Sequence, residues 1–195
     1  MTVIDPESLF FEYKLRYRGT PGLEHDPADY PMRWEVAVSC TLPTPGGGDE
    51  EKQLGSAVVQ VVPKAGMINL FLTTGKADQE MAKAVEMLTM ERPDLISGYL
   101  QDGGDLMIVS SLEILPEYRG DRTGYTVLNA IVETVGRSVN LVVVHAAPAD
   151  GEGSPTSDSP GYEEAKSALR AYWKNFGFED ATGDYLVFFH KKILA

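Results

Sequence analysis

The chain has 195 residues, of which 43% are hydrophobic, and its formal net charge at pH 7 is −12. This length predicts a single domain over residues 1–195, and the hydrophobic content is sufficient for a packed core. The negative charge argues against nucleic acid as the main partner, because binding to phosphates needs an excess of Lys and Arg.

Several other classes of protein are also excluded. No stretch approaches the roughly 18 consecutive apolar residues that a membrane helix needs, and residues 1–6 lack the basic and apolar regions of an export signal. Cys40 is the only cysteine, which excludes a disulfide within the chain and a zinc site built from cysteines. We therefore expect a cytoplasmic protein with no metal and no membrane partner.

The first 73 residues predict β-strands. Apolar and charged residues alternate over 11–18 and again over 34–42, which indicates strands with one solvated face. Residues 44–49 predict a turn, so that the second strand and the run at 54–62 form a hairpin with a long tip. Residues 67–72 predict a further short strand.

Helices and strands alternate in the rest of the chain. Apolar residues at helical spacing predict a helix around residues 81–88, which Pro93 ends. The next predicted elements are a strand at 105–115, a helix at 127–135 with Gly136 as its cap, a central buried strand at 141–145, a loop at 150–161, a helix at 162–176 capped by Ser159 and ended by Gly177, and a terminal strand at 185–191. This order predicts an α/β fold, an α+β sandwich around one mixed sheet.

The most informative stretch joins the strand at 105–115 to the helix after it. The apolar run stops at Pro116, and Arg119-Gly120-x-x-x-Gly124 leads into the helix. The first N–H groups of a helix have no internal partner and carry partial positive charge, so such a turn can bind an anion, usually a phosphate. The alternative is a turn with no ligand.

Two segments together resemble the GNAT superfamily of acetyl-CoA-dependent N-acyltransferases. Residues 112–124 look like the family's acyl-CoA site, a strand end followed by an Arg/Gln-x-x-Gly-x-Gly/Ala loop for pyrophosphate. Residues 171–178, Ala-Tyr-Trp-Lys-Asn-Phe-Gly-Phe, are similar to the family's Phe-Tyr-x-x-x-Gly-Phe segment. The resemblance implies a mixed, mostly antiparallel central sheet flanked by helices, in which one pair of strands splays apart.

The resemblance also implies where acetyl-CoA, or another acyl-CoA, would bind. The ligand would enter between the strands at 105–115 and 141–145, with its pantetheine arm along one strand and its pyrophosphate on the amides of the turn. Arg119 would shape the turn or add charge. The implied cofactor-binding residues are Leu112, Glu113, Ile114, Arg119, Gly120, Asp121, Arg122, Thr123, Gly124, Tyr125 and Trp173.

Two residues depart from the family's pattern. Arg122 stands at the family's central glycine, where it would either crowd the phosphate or pair with the 3′-phosphate of coenzyme A. Trp173 stands where many members carry a tyrosine that protonates the leaving thiolate, and an indole N–H is no usable acid. Tyr172 precedes it by one residue, about 100° around the helix, and does not simply replace that tyrosine.

Transfer of an acyl group to an amine needs a base that takes the proton of the nucleophile. We predict Glu113 and His145 as the catalytic residues; the alternatives are an ordinary outward-facing strand carboxylate and a structural histidine. Ser110 is predicted to share the face of Leu112 and Ile114, where it would hold a water or be a plain polar residue.

The predicted function is transfer of an acyl group, most simply acetyl, to a primary amine of a small molecule or a peptide. An acyl-CoA-binding module without catalysis is the main alternative, and a structural protein without a cofactor is a weaker one. The first strands and residues 148–161 are expected to frame the acceptor site. The sequence leaves the acceptor and the oligomeric state open, with a homodimer among the alternatives.

Overall fold

A computed structural model describes residues 4–16, 31–44, 46–74, 79–148 and 159–190 of the chain. One seven-stranded mixed sheet runs through these residues, with helices on both faces. Its strands are β1 (Leu9–Arg16), β2 (Met32–Pro43), β3 (Asp49–Val62), β4 (Asp105–Ile114), β5 (Val139–His145), β6 (Glu179–Thr182) and β7 (Tyr185–Phe189). The helices are α1 (Leu70–Thr74), α2 (Gln79–Glu86), α3 (Pro93–Tyr99), α4 (Thr123–Thr134) and α5 (Tyr162–Phe176).

The strands lie in the order β1-β2-β3-β4-β5-β7-β6. β4 and β5 are parallel, and every other neighbouring pair is antiparallel. The predicted fold class is therefore confirmed. The predicted hairpin is formed by β2 and β3, and the alternation predicted for β1 holds from Leu9 to Lys14; residues 17 and 18 and most of the predicted loop at 150–161 lie outside the described residues.

The sheet separates two hydrophobic cores, because strand residues alternate between its faces. α4 and α5 cover one face, where Val109 and Val144 pack with Ile131 and Trp173. The first three helices cover the other face, where their apolar residues pack against alternate residues of β4, β5 and β7, namely Leu106, Ile108, Leu141, Val143 and Val187. We call these the α4/α5 face and the α2 face.

One prediction on the segment before β4 is wrong, and another is correct but incomplete, because the helix predicted at 81–88 does stop before Pro93. Residues 67–72 form no strand: a 3₁₀ turn at Ala65–Met67 precedes α1, and the side chain of Asn69 accepts a hydrogen bond from the backbone N–H of Leu72. Pro93 begins α3 and does not simply end a helix. A proline lacks an N–H group, which costs nothing in the first turn, where that group has no partner anyway.

The predicted helix caps have mixed outcomes. Gly177 ends α5 with a φ of 123°, as predicted. Gly136 lacks a positive φ and lies where a Cβ would come 2.7 Å from Met107 Cε, so close packing explains this glycine. The residue before α5 is Gly161, and Ser159 contributes only its carbonyl oxygen to the turn, 3.0 Å from the N–H of Tyr162.

Candidate functional site

β4 and β5 separate along their length. They pair from Asp105 to Val109 on β4, and no pairing between them continues beyond Val109 and Val144. The splayed pair that the resemblance implies is thus present. Since β5 continues beside β7 and β4 beside β3, the gap lies inside the sheet.

A β-bulge in β4 coincides with the point of separation. Ser111 pairs with Val58 and Val109 with Val59, so Ser110 is an extra residue without a partner on β3. Val109 and Leu112 consequently both pack on the α4/α5 face, although they are three residues apart. The prediction that Ser110 shares the face of Leu112 is therefore wrong, and the Ser110 hydroxyl lies 3.2 Å from Nε2 of the buried Gln60.

The gap forms a cavity of about 130 Å³, which we call the β4–β5 cleft. Its walls are Val109, Ser110, Ser111, Leu112, Glu113, Val144, His145, Ala147, Leu169 and Trp173. Four of the predicted site residues, Leu112, Glu113, His145 and Trp173, thus line one cavity. Glu113 is exposed, whereas only 4% of Trp173 is accessible.

The turn before α4 has three consecutive residues with positive φ. The values are 111° at Gly120, 43° at Asp121 and 60° at Arg122. Arg119 Nε donates to the carbonyl oxygen of Ile114 at 2.8 Å, which fixes the turn to the end of β4. The Thr123 hydroxyl and N–H both donate to the carbonyl oxygen of Gly120.

The backbone of this turn can hold an anion. No described residue accepts a hydrogen bond from the N–H of Gly120, Asp121 or Arg122. Arg122 is exposed, and no carboxylate among the described residues pairs with it. The turn therefore offers free amides and a free guanidinium, which is the donor set that a pyrophosphate needs.

Tyr172 is a residue at this site to which the sequence assigned no role. Its hydroxyl would lie 2.5 Å from a Cβ at Gly124, and the N–H groups of Gly124 and Tyr125 face its oxygen. Burial, followed by the Tyr125 phenol, raises the pKa of Tyr172 to about 12. The Tyr125 hydroxyl in turn donates to the carbonyl oxygen of Tyr172. The phenol therefore occupies the first turn of α4, next to the free amides.

Trp173 packs inside an aromatic cluster. Its ring centroid lies 5.1 Å from that of Tyr172, 5.7 Å from Phe178 and 6.5 Å from Tyr125. This packing holds the indole in the wall of the β4–β5 cleft. The structure thus places Trp173 at the cleft without supplying the acid that a tyrosine would bring there.

A second cavity, of about 310 Å³, lies on the α2 face, and we call it the acidic cavity. It lies between α2, the π-helical turn Met87–Glu91 and the β6–β7 turn. Its walls are Lys83, Glu86, Met87, Glu91, His145, Thr182, Gly183, Asp184 and Tyr185. No pattern in the sequence indicates this cavity, because three separate segments, within 83–91, at 145 and within 182–185, supply its walls.

His145 lines both cavities. Its Nδ1 lies 3.8 Å from Oε2 of Glu80, and its ring centroid lies 5.0 Å from that of Tyr185. Burial and the surrounding carboxylates, Glu80 first, raise the pKa of Tyr185 to about 12. His145 is thus held between a carboxylate and a phenol, in a wall that the cleft and the acidic cavity share.

Within the described residues, no group of three or more His, Cys, Asp or Glu side chains could hold a metal ion. No helix in the same part of the chain is both long enough and apolar enough to cross a bilayer.

In comparisons with known proteins, this chain is similar to solved structures but matches no protein family or curated protein by sequence. The structure of Arabidopsis thaliana NAA60 in complex with a bisubstrate analogue aligns with 12% identity and a TM-score of 0.40, over 82% of this chain and 75% of NAA60. A putative arylalkylamine N-acetyltransferase 7 from the yellow fever mosquito aligns with 11% identity and a TM-score of 0.42, over 80% of this chain and 63% of that protein.

The features that define the fold come from the described residues themselves. Seven strands form one mixed sheet, its single parallel pair is β4–β5, and this pair opens beyond Val109. A glycine-containing turn joins the open end of β4 to α4. The chain therefore has the fold that its resemblance to the GNAT superfamily predicts.

Proposed function

We propose that this protein transfers an acetyl group from acetyl-CoA to a primary amine. The observation that supports this most is that His145 lies in the walls of two cavities, one in the gap of the sheet and one on the α2 face. In this proposal the β4–β5 cleft takes the acyl donor and the acidic cavity takes the acceptor. An amine that reaches His145 would then lie beside the acyl group.

The residues around the cleft suit an acyl-CoA. The edge of β4 at Leu112, Glu113 and Ile114 faces the gap that β5 leaves, so its backbone is available to an extended pantetheine arm. The pyrophosphate would lie on the free amides of Gly120, Asp121 and Arg122, in the turn that leads from Arg119 into α4. Acetyl-CoA supplies the acyl group in activated form, as a thioester.

The reaction needs a neutral amine nitrogen, which attacks the thioester carbonyl carbon as a C–N bond forms and the C–S bond breaks. The nitrogen gives up a proton to a base, and the sulfur leaves as a thiolate. His145 and Glu113 both line the cleft and are the candidates for the base. Trp173 supplies no acid, but a thiol pKa of about 8.5 makes the thiolate a fair leaving group unaided.

The first experiment tests binding and turnover together. Coenzyme A at millimolar concentration should raise the melting temperature, because a ligand that binds only the folded state stabilises it. Acetyl-CoA with a panel of amines should release free thiol at a rate that depends on the amine. Arg119→Glu should remove the thermal shift, whereas Arg16→Glu, on the exposed end of β1, should keep it. An unchanged melting temperature with coenzyme A would refute the proposal.

A second candidate function is binding of acyl-CoA without catalysis, which Arg122 and Trp173 favour. It predicts stabilisation by acetyl-CoA with no amine-dependent release of thiol across the whole panel. The two candidates separate through His145→Ala and Glu113→Gln. Turnover that either substitution abolishes, with the thermal shift retained, would establish catalysis.

A further inference from the structure

We propose that the acidic cavity selects an acceptor that carries a second positive charge besides the amine that reacts. The inference rests on the proposed function, because it concerns the acceptor bound in the acidic cavity, which shares His145 with the β4–β5 cleft. The acceptor class that fits is a short aliphatic amine with a cationic group at its far end.

Charge in the cavity wall is the first observation. Glu86, Glu91 and Asp184 bring three carboxylates to the wall, and Lys83 brings one ammonium group. Lys83 Nζ lies 3.5 Å from Oε1 of Glu80, which is itself an additional carboxylate next to the cavity. The excess of negative charge favours a cation over a neutral or anionic ligand, because water inside the cavity screens charge less than bulk solvent does.

The three carboxylates differ in what they already bind. Asp184 Oδ1 is 2.8 Å from Lys166 Nζ, and Glu91 Oε2 accepts a hydrogen bond from the Thr182 hydroxyl at 2.8 Å. No described residue forms an ion pair with Glu86, which is exposed at the cavity. Glu86 is therefore the carboxylate most available to a ligand, with Glu91 one turn further along the same wall.

An unsatisfied hydroxyl is an independent observation. The side-chain oxygen of Tyr185 is fully buried and has no hydrogen-bond partner among the described residues. A buried hydroxyl without a partner is unfavourable, and a phenol oxygen can accept a hydrogen bond from an ammonium group. The Tyr185 side chain lines the cavity beside His145, so a ligand ammonium group that displaces the atoms covering this oxygen would satisfy it.

The position of His145 gives the ligand its orientation. The reacting amine must lie at His145, which lines both the cavity and the cleft, and must be neutral when it attacks. The second group then lies toward Glu86 and Glu91 and keeps its proton. The cavity thus holds the neutral end of the acceptor at His145 and its charged end near Glu86 and Glu91.

Three acceptors of equal length test this separation: 1,4-diaminobutane, 4-amino-1-butanol and 4-aminobutanoate. They share the reacting amine and differ only in the charge of the far group. With saturating acetyl-CoA we expect kcat/KM to fall in that order, by about tenfold from the diamine to the amino alcohol, as for one charge pair near a protein surface.

Glu86→Gln and Glu91→Gln should bring kcat/KM for the diamine toward that of the amino alcohol, and should change kcat/KM for the amino alcohol by a smaller factor than for the diamine. The KM for acetyl-CoA should not change in either variant. Glu50→Gln is the matched control, because it makes the same substitution at an exposed position in the β2–β3 hairpin. Isothermal calorimetry with the diamine and the amino alcohol gives a second readout that does not need turnover.

The outcomes distinguish charge selection from the proposed function. Equal kcat/KM for diamine and amino alcohol, with normal thiol release, would overturn charge selection and leave acyl transfer intact. If no amine is acetylated, calorimetry decides: diamine binding that Glu86→Gln weakens supports the acidic cavity as a cation site, and the same weak heat for both ligands overturns it.

Discussion

At the scale of single residues, Arg122 connects backbone strain with the anion site. Its φ of 60° puts an L side chain in the left-handed region, which costs about 1–2 kcal/mol. The sequence left open whether this arginine crowds a phosphate or pairs with one. An exposed guanidinium with no carboxylate partner among the described residues favours pairing.

Arg122→Gly and Arg122→Ala separate the two effects. Both remove the charge and should weaken coenzyme A binding to the same extent, most strongly at low salt. Only glycine relieves the strain, so the free energy of unfolding of Arg122→Gly should exceed that of Arg122→Ala by about 0.5–1 kcal/mol. Urea denaturation measures this difference. Equal stability of the two variants would mean that the turn stores no strain at this residue.

Trp173 bears on the kcat of the proposed reaction, because it stands where a tyrosine could act as the general acid. Trp173→Tyr should raise kcat by about tenfold or more if the new phenol reaches the thiolate, since general acid catalysis is typically worth about 10²–10⁴. Trp173→Phe is the matched control, because it removes similar volume without adding a hydroxyl. Both variants should lose about 1–3 kcal/mol of stability, because the indole is buried in an aromatic cluster. A rise in kcat in the phenylalanine variant as well would exclude an acid role.

At the scale of elements, the open end of β4 depends on how closely β3 approaches it. A Cβ at Gly55 would lie 2.2 Å from the carbonyl oxygen of Glu113, which is too close for any side chain. This contact fixes the segment of β4 that carries the proposed base. The backbone of β3 at Gly55 thus lies directly against the backbone of Glu113.

Gly55→Ala should therefore lower both stability and activity. We expect a loss of about 1–3 kcal/mol from the overpacking, together with a fall in kcat/KM. Gly46→Ala is the control, because a Cβ there meets nothing within 4 Å. Thermal denaturation and thiol-release assays measure the two effects. A stable and fully active Gly55→Ala would show that β4 can shift without consequence for Glu113.

The sequence predicted these elements unevenly, for physical reasons. β2, β3 and α5 carry long periodic patterns, and the turn at Gly120 carries a glycine signature, so all four could be recognised. The bulge at Ser110 has no such signature, because one extra residue shifts the later residues of the strand to the other face without changing their composition. The four-residue β6 was missed because it is too short for a pattern.

The residues of the candidate site likewise include some that the sequence could indicate and some that it could not. Leu112 and Glu113 were predicted from the resemblance to the GNAT superfamily and His145 from its place at the end of a central strand, and all three line the β4–β5 cleft. The acidic cavity was not predicted, since α2, the π-helical turn and the β6–β7 turn come together only in the folded chain. The roles of Tyr172 and Tyr185 likewise depend on contacts distant in sequence.

At the scale of the whole molecule, we expect two partly buried phenols to contribute to the loss of stability in alkali. Burial raises the pKa of both Tyr172 and Tyr185 from 10.0 to about 12. Between these values the unfolded chain has released protons that the folded chain still holds. The stability that is present below pH 10 is therefore lost as the pH rises toward about 12.

We expect the melting temperature to fall steadily over that pH interval, as followed by circular dichroism. The double variant Tyr172→Phe, Tyr185→Phe should show a smaller fall, because its phenylalanines cannot release a proton. Comparison at neutral pH corrects for any change in basal stability. If the melting temperatures of the two proteins fall equally with pH, groups other than Tyr172 and Tyr185 cause the loss of stability.

In the proposed reaction the two substrates bind on different sides of the sheet. Leu169 and Trp173 line the β4–β5 cleft on the α4/α5 face, and the acidic cavity lies on the α2 face. Two molecules that enter through opposite sides of one wall do not obstruct each other, and neither has to leave before the other arrives. Initial-rate plots against both substrates should then give intersecting lines, the signature of a ternary complex, and no acetylated protein should accumulate when the amine is withheld.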